Sequence, residues 1–577
     1  MNLNLIIYLP DKILSMKIML LSFFLLSSQV HAQETGKWGD QGNDMFRNPI
    51  IAGDYSDPDP IRVGEDYYMA VSTFESSPGV TILHSKDLVN WEYSGSVFSD
   101  LTKVNDAFRW DQMERYGEGA FAPSLRYHEN KFWVFVNFYT DGFYMATTKH
   151  PSEKWEIHQI KDKKGRPLRT LYWTDPCPFW DEDGKAYLAA SRPGDVWYGY
   201  LFEMTPDGRQ LLDADVDHMN EEDIEYKYPM GGTLYSPFQS TEGNKIYKRN
   251  GFYYLIHIEF LPDGQGCGTY VMRSKHIYGL KSDGKPGSPG DPGKYEIYKI
   301  GEDGCEGINQ EFPGQGGLVN TPDDRWFWIG QFNRINIDKY RVPHLIPVTL
   351  IDDWPVFGAD VRNGKGYMKW ELPKPIDSFP MVYPFISDEF DTADLNPVWQ
   401  WNHQPDKSKW TLSEHPGFLR MYAGKASNFF KAPNTINQRH FKSDSTFVTI
   451  KILTTGMTDG QQAGLSHFTG GTSYAKFGIA MNSGKKRLVY EMNGKTSKID
   501  KMEADSDTLY LRTRVKMDNR VNWYYSYDGK SFKKLKKTYD IESGNFRGNM
   551  VGIFTYNTVS ESGYIDVDWF EYLVHNK

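Results

Sequence analysis

The chain has 577 residues and a formal net charge of -10, and it carries no basic stripe, which argues against nucleic acid as a partner. Aromatic residues make up 15% of it beside 52 Gly and 31 Pro, and long amphipathic helical runs are scarce, the profile of an all-β protein whose Trp- and Tyr-bearing faces suit the C–H surfaces of sugars. That length calls for two or more domains, and three cysteines (Cys177, Cys267, Cys305) without metal-ligand spacing read as packing residues rather than a disulfide framework.

Lys17 precedes the apolar run Ile18 to Leu26, and Val30-His31-Ala32 offers small residues at cleavage positions. Residues 1–32 therefore read as a secretory signal peptide, with Met16 available as a more compact start and Gln33 as the first mature residue. No other apolar run is long enough to span a bilayer, and no Cys near the cleavage point could carry a lipid. A periplasmic or secreted protein without membrane insertion is expected. Residues 33–47 read as a mobile polar segment.

The first domain, residues 48–370, opens on NPIIAGDYSDPDPI. Pro58 and Pro60 fix φ and lack an N–H, which stiffens the approach to a strand and aims Asp57 and Asp59 in set directions. Taken alone, a DPDP is more often a surface turn. A hairpin-like unit then repeats five times, starting at Pro60, Pro123, Pro176, Lys245 and Gly316. The pitch is irregular, roughly 55 to 75 residues, and suits five propeller blades better than a solenoid; a generic β-sandwich is the alternative. In a propeller the innermost strands all run the same way along the central channel. The residues just before each unit would then share one mouth, which brings together Asp57, Asp175 and Glu242.

Between the fourth and fifth units, DGKPGSPGDPGKY has Gly at every third position, too briefly for a collagen helix, and reads as an extended surface loop. Residues 371–385, ELPKPIDSFPMVYPF, form a proline-rich linker. Residues 386–577 show regularly spaced strand candidates with Asn493-Gly494 and Asp528-Gly529 at tight turns, as in a jelly-roll β-sandwich. Asp388, Glu389 and Asp391 near its start could meet Asp566 and Asp568 near its end around a Ca²⁺; solvated edge carboxylates are the other reading.

Hydrolysing a glycosidic bond takes one carboxyl to protonate the leaving oxygen and another to activate water or attack. A Glu that still holds its proton at pH 7 needs its pKa raised by roughly two units, and a nearby like charge supplies part of that. Three acids at one mouth therefore make chemical sense. Three unrelated surface carboxylates are the plain alternative.

These segments resemble glycoside hydrolase family 43. NPIIAGDYSDPDPI followed by DYYMAVSTF and HSKDLVNWE is similar to that family's opening, and the resemblance covers about Asn48 to Phe357. The stretch from about Ile386 to Tyr572 is similar to the concanavalin A-like domain that follows many family 43 xylosidases and arabinofuranosidases. The resemblance implies a five-bladed propeller with inverting, exo-acting chemistry. It puts Asp57 on the general base, Asp175 (TDPCPFWDEDGKAYL) on the acid's tuning partner, and Glu242 (TEGNKIYKRNGFYYL) on the general acid. It also sets Phe121 of FAPSLRYH near the pocket and makes Gln315 and Arg341 substrate-facing, while Phe74 is a candidate pocket wall. Two departures stand out. Ser76-Ser77 replaces the bulky aromatics that often follow TFE, so a sugar platform is missing or supplied from elsewhere. Gly314 stands where some members place a His associated with a channel ion, so no channel metal is carried over and any metal site stays unknown.

The activity implied is removal of terminal pentosyl residues, α-L-arabinofuranosyl first and β-D-xylosyl second, from plant polysaccharide or oligosaccharide fragments, with no organic cofactor. A retaining fructan-cleaving hydrolase and a non-catalytic sugar-binding propeller are the rivals. The chain has no WMNDPNG-type opening for the first, and the three acids count against the second.

Overall fold

The computed structural model describes residues 38–168, 173–192, 198–215, 232–235, 241–260, 267–300, 314–332, 340–377, 379–503, 506–544 and 546–575. The expected signal peptide and Cys305 lie outside the described residues. Within them the elements are β-strands with a few short 3-10 turns.

Five four-stranded antiparallel sheets make up the first domain. The first orders Asp59–Val63, Asp66–Val71, Gly79–Ser85 and Glu92–Phe98. The other four begin with Ala120–His128, Thr174–Trp180, Thr241–Arg249 and Gly316–Asn320. Each leading strand turns directly into its partner, as at Val63↔Asp66, His128↔Lys131 and Arg249↔Phe252. Here Gly64, Asn130 and Gly251 supply the left-handed residues these tight turns need. The leading strands pack side by side around a ring, and Gly316–Asn320 returns against Asp59–Val63. This is the propeller arrangement the repeats predict.

A belt of polar contacts ties the ring together. Asp59, fully buried, accepts from Leu125 N (2.8 Å) and Arg126 Nη1 (2.7 Å) of the second sheet. The Arg126 guanidinium donates onward to Cys177 Sγ (2.9 Å) of the third sheet and lies 5.7 Å from the Tyr247 ring centre in the fourth. Tyr247 Oη then accepts from Leu318 N (2.8 Å) of the fifth. The two aspartates of DPDP thus divide their work, and Asp59 holds the blades together.

The second domain is a sandwich of a nine-stranded and a seven-stranded antiparallel-dominated sheet, joined in one apolar core. That core runs on from Trp399, Phe441 and Trp523 into Phe46, Tyr55 and Trp91 of the propeller side, so the two domains share buried surface. The propeller also lends Ser76–Ser77 as an edge strand to the nine-stranded sheet, paired with Gln400–Asn402 (Trp401↔Ser77, Asn402↔Ser76).

Three expectations change. The segment read as mobile up to Arg47 instead enters a small sheet: Met45–Arg47 pairs with Gly39–Asp40 and with Glu371–Pro373 of the linker. Burial of Phe46 and of the Asp40–Lys374 ion pair anchors it. The glycine-triplet loop does not extend but folds back on Tyr278–Leu280, where a Cβ on Gly287 would lie 2.3 Å from Tyr278 O. Of the five acids proposed for Ca²⁺, three are engaged separately: Asp566 with Arg420 (2.7 Å) and His415 (2.9 Å), Asp568 with Lys451, and Asp388 with Trp399 Nε1 (2.8 Å). Among the described residues no three His, Cys, Asp or Glu gather to hold a metal ion.

Candidate active site

Asp57 stands two residues before the start of the strand Asp59–Val63, with a left-handed backbone (φ 56°). Such a φ is unfavourable for a side chain with a Cβ, and it persists only where surroundings over-determine it. They do so here. Gln331 accepts from Asp57 N (2.6 Å) and donates back to its Oδ1 (3.0 Å). Arg341 Nη1 also donates to Oδ1 (3.0 Å), and Ser72 Oγ donates to Oδ2 (2.6 Å). The carboxylate is buried and fully spoken for by donors from three strand ends.

Asp175 repeats the pattern at the start of Thr174–Trp180 (φ 54°). Thr174 Oγ1 donates to its Oδ1, while Gly243 N (2.5 Å) and Gln315 Nε2 (3.3 Å) donate to its Oδ2. Burial pushes its pKa up, the charge of Asp57 adds to the rise, and the group titrates at about 6. Glu242, half-buried, is the second residue of Thr241–Arg249 and directly precedes that donating Gly243.

The local reason for this aim is shared. Three leading strands break register at the same end, between Phe121 and Ser124, Thr174 and Cys177, and Glu242 and Lys245. A bulge adds a residue and turns side chains out of the ladder, which is how Phe121, Asp175 and Glu242 leave their sheets at one mouth.

Aromatic rings wall this mouth. Phe74 (φ 52°) meets Phe121 edge-on at 5.0 Å, and the Arg341 guanidinium lies 5.4 Å from the Phe74 ring centre. A third ring comes from the sandwich: Phe546 packs edge-on to Phe121 at 5.5 Å, and its carbonyl accepts from Arg341 Nη2. Phe546 is 52% exposed, so the second domain reaches over the opening without closing it.

Residues 46–355 match glycosyl hydrolases family 43, and residues 387–573 match the beta xylosidase C-terminal concanavalin A-like domain. The chain belongs to family 43. It is 32% identical to a beta-xylosidase of Formosa agariphila over 95% of this chain and 93% of that one. It is 26% identical to the non-reducing end alpha-L-arabinofuranosidase BoGH43B of Bacteroides ovatus over 91% of this chain and 94% of that one. Among solved structures, the GH43 protein BlXynB from Bacillus licheniformis superposes with a TM-score of 0.71 at 25% identity, covering 92% of this chain and 100% of the other.

In the family 43 glycosidase, contacts link Asp57 with Arg341, Arg341 with Phe74, Phe74 with Phe121, and Gln315 with Asp175, whose carboxyl feels the charge of Asp57. Glu242 is placed beside them by its position one residue before Gly243. Two of them, Gln315 and Arg341, spend hydrogen bonds on the carboxylates rather than keeping them all for a ligand. Sequence reasoning missed Gln331, Ser72 and Phe546. Gln331 had a readable signal, as the polar residue at an inward position of WFWIGQF. Phe546 had none. No aromatic follows TFE here; a ring from the other domain, Phe546, packs on Phe121 instead, and Ser76-Ser77 serves as the strand on which that domain docks.

Proposed function

We propose that this glycosidase is an exported, exo-acting, inverting enzyme that removes terminal pentosyl residues from plant polysaccharide fragments, β-D-xylosyl first and α-L-arabinofuranosyl second. Asp57 takes a proton from the attacking water, Glu242 gives one to the leaving oxygen, and Asp175 keeps Glu242 protonated and aimed. The order of sugars follows the relatives: two beta-xylosidase matches, one of them putative, stand at 32% and 33% identity, against 26% for the arabinofuranosidase.

The observation that carries this reading is the tie between Asp175 and the step after Glu242, with Asp57 close enough for its charge to act on Asp175. Two acids of like type can divide proton donation and acceptance only if their surroundings separate them. Here one buried carboxyl is gripped by a guanidinium, a hydroxyl and an amide, and another sits beside the donor strand. A pocket capped on one side by Phe546 favours a chain end over a chain interior.

Aryl β-D-xyloside and aryl α-L-arabinofuranoside, assayed side by side, test the sugar. Proton NMR of the first-formed product tests the stereochemistry, and a retained anomer would overturn the water-activating role of Asp57. Glu242→Gln should remove nearly all hydrolysis; unchanged turnover would end its assignment as the acid.

A further inference from the structure

Phe546 poses a mechanical question. A half-exposed ring with a left-handed backbone (φ 61°) must be held by its neighbours. The neighbour is Arg547, which is buried and reaches into the propeller. Its Nη1 lies 3.0 Å from Glu75 Oε1 and donates to Ser76 Oγ at 2.7 Å. Its guanidinium sits 5.2 Å from the Phe468 ring centre, and its carbonyl accepts from Gly544 N at 3.1 Å. Glu75 is fully buried. Burial pushes its carboxyl pKa up, and the Arg547 charge opposes that rise.

The spacing is informative. Glu75 follows Phe74, the propeller's pocket wall, and Arg547 follows Phe546, the sandwich's cap. This interdomain ion pair therefore links the residues that follow the two rings on either side of Phe121, beside the bond from Arg341 to the Phe546 carbonyl. A buried pair of this kind adds little net stability compared with apolar packing, because both charges lose their water. Its geometric effect is the larger one.

We propose that Glu75 and Arg547 are a positioning pair that sets how far Phe546 reaches over the sugar pocket, and so fits the pocket to one terminal pentose. The inference rests on the proposed pentosidase reading for its kinetic test, but not for its structural one. Neither residue touches substrate. Each acts through the aromatic ring beside it.

The test neutralises both partners together, Glu75→Gln with Arg547→Met, so that no lone charge is left buried to unfold the protein. This pair variant, Phe546→Ala and the triple variant are compared with the full-length wild type. The pair variant should keep its thermal midpoint within a few degrees, raise KM about tenfold on the better aryl pentoside with kcat changed less than about threefold, and shrink the preference between the two pentosides. Adding Phe546→Ala to it should cost nothing more, because the cap is already out of place. Wild-type KM and preference in the pair variant, or losses that multiply in the triple, would overturn the proposal. A crystal structure of the pair variant decides independently of substrate: Phe546 should have left Phe121, and a ring still in place would overturn the positioning role. Should wild type cleave neither pentoside, the functional reading fails, and the crystal structure still decides the pair.

Discussion

Gly243 donates its N–H to Oδ2 of Asp175, so the residue after Glu242 is bound to a carboxylate 68 positions earlier in the chain. Two blades are thereby locked in register at the mouth. Gly243 has φ +71°, and a Cβ there would stand 3.2 Å from Gln315 Cγ, itself on a donor to Asp175. Gly243→Ala combines backbone strain of about 1–3 kcal/mol with displacement of Gln315. The expected result is a folded enzyme, checked by circular dichroism, whose kcat falls by about tenfold or more.

Asp175 should leave a mark on both activity and stability. Its folded pKa of about 6 lies above the ordinary 3.8, so the protonated form is favoured in the fold. The group's contribution is fully present below pH 3.8, is lost as pH rises to about 6, and is constant above, amounting to on the order of 3 kcal/mol. Asp175→Asn removes that dependence. The difference in thermal midpoint between variant and wild type should therefore shift in the variant's favour between pH 4 and 6 and stop changing beyond. Activity moves the other way: wild-type kcat/KM should fall as Asp175 takes up a proton below about pH 6, and the variant should lose about 100-fold in kcat at neutral pH.

Arg341 is expected to be sensitive to shape as well as charge. One arm holds Asp57 at 3.0 Å and the other holds the Phe546 carbonyl. Arg341→Lys keeps the charge without the fork, and Arg341→Met leaves a buried carboxylate short of its cation. We expect kcat/KM to drop about tenfold for Lys and about 100-fold or more for Met, roughly 3 kcal/mol for the latter. Steady-state kinetics on the preferred aryl pentoside measures both.

Restoring an aromatic after TFE should not restore a platform. Ser77 is buried, pairs with Trp401 and donates through Oγ to Gln404 Oε1 at 2.8 Å. Ser77→Trp would push the sandwich off its docking strand. The thermal midpoint is expected to fall by several degrees, as overpacking by about 1–3 kcal/mol implies, with activity lost because Phe546 moves too.

Local pattern carried much of this protein. The turn signals GED, HEN and RNG gave hairpins at Val63↔Asp66, His128↔Lys131 and Arg249↔Phe252, because period-two alternation and left-handed turn residues are properties of neighbouring positions. The carboxylates stood out for the same reason, each at or just before the start of a leading strand. Two sandwich strands, Gln461–Phe468 and Met550–Asn557, carry Gly464 and Gly552 in their interiors. In the fold those glycines let strands approach, since a Cβ would lie 2.3 Å from Phe477 O or 2.1 Å from Ile436 O.

What the sequence by itself determined is therefore the set of blades and the acids at their starts. Only the tertiary structure decided how those acids are held: Gln331 on Asp57 across 274 positions, Phe546 on Arg341 across 205, and Arg547 on Ser76 across 471. Contacts over such separations arise when closed sheets bring chain ends together, and they leave no periodicity along the chain to read. The sandwich earns its place beside the pocket through those contacts, and nothing in its own strand pattern announces it.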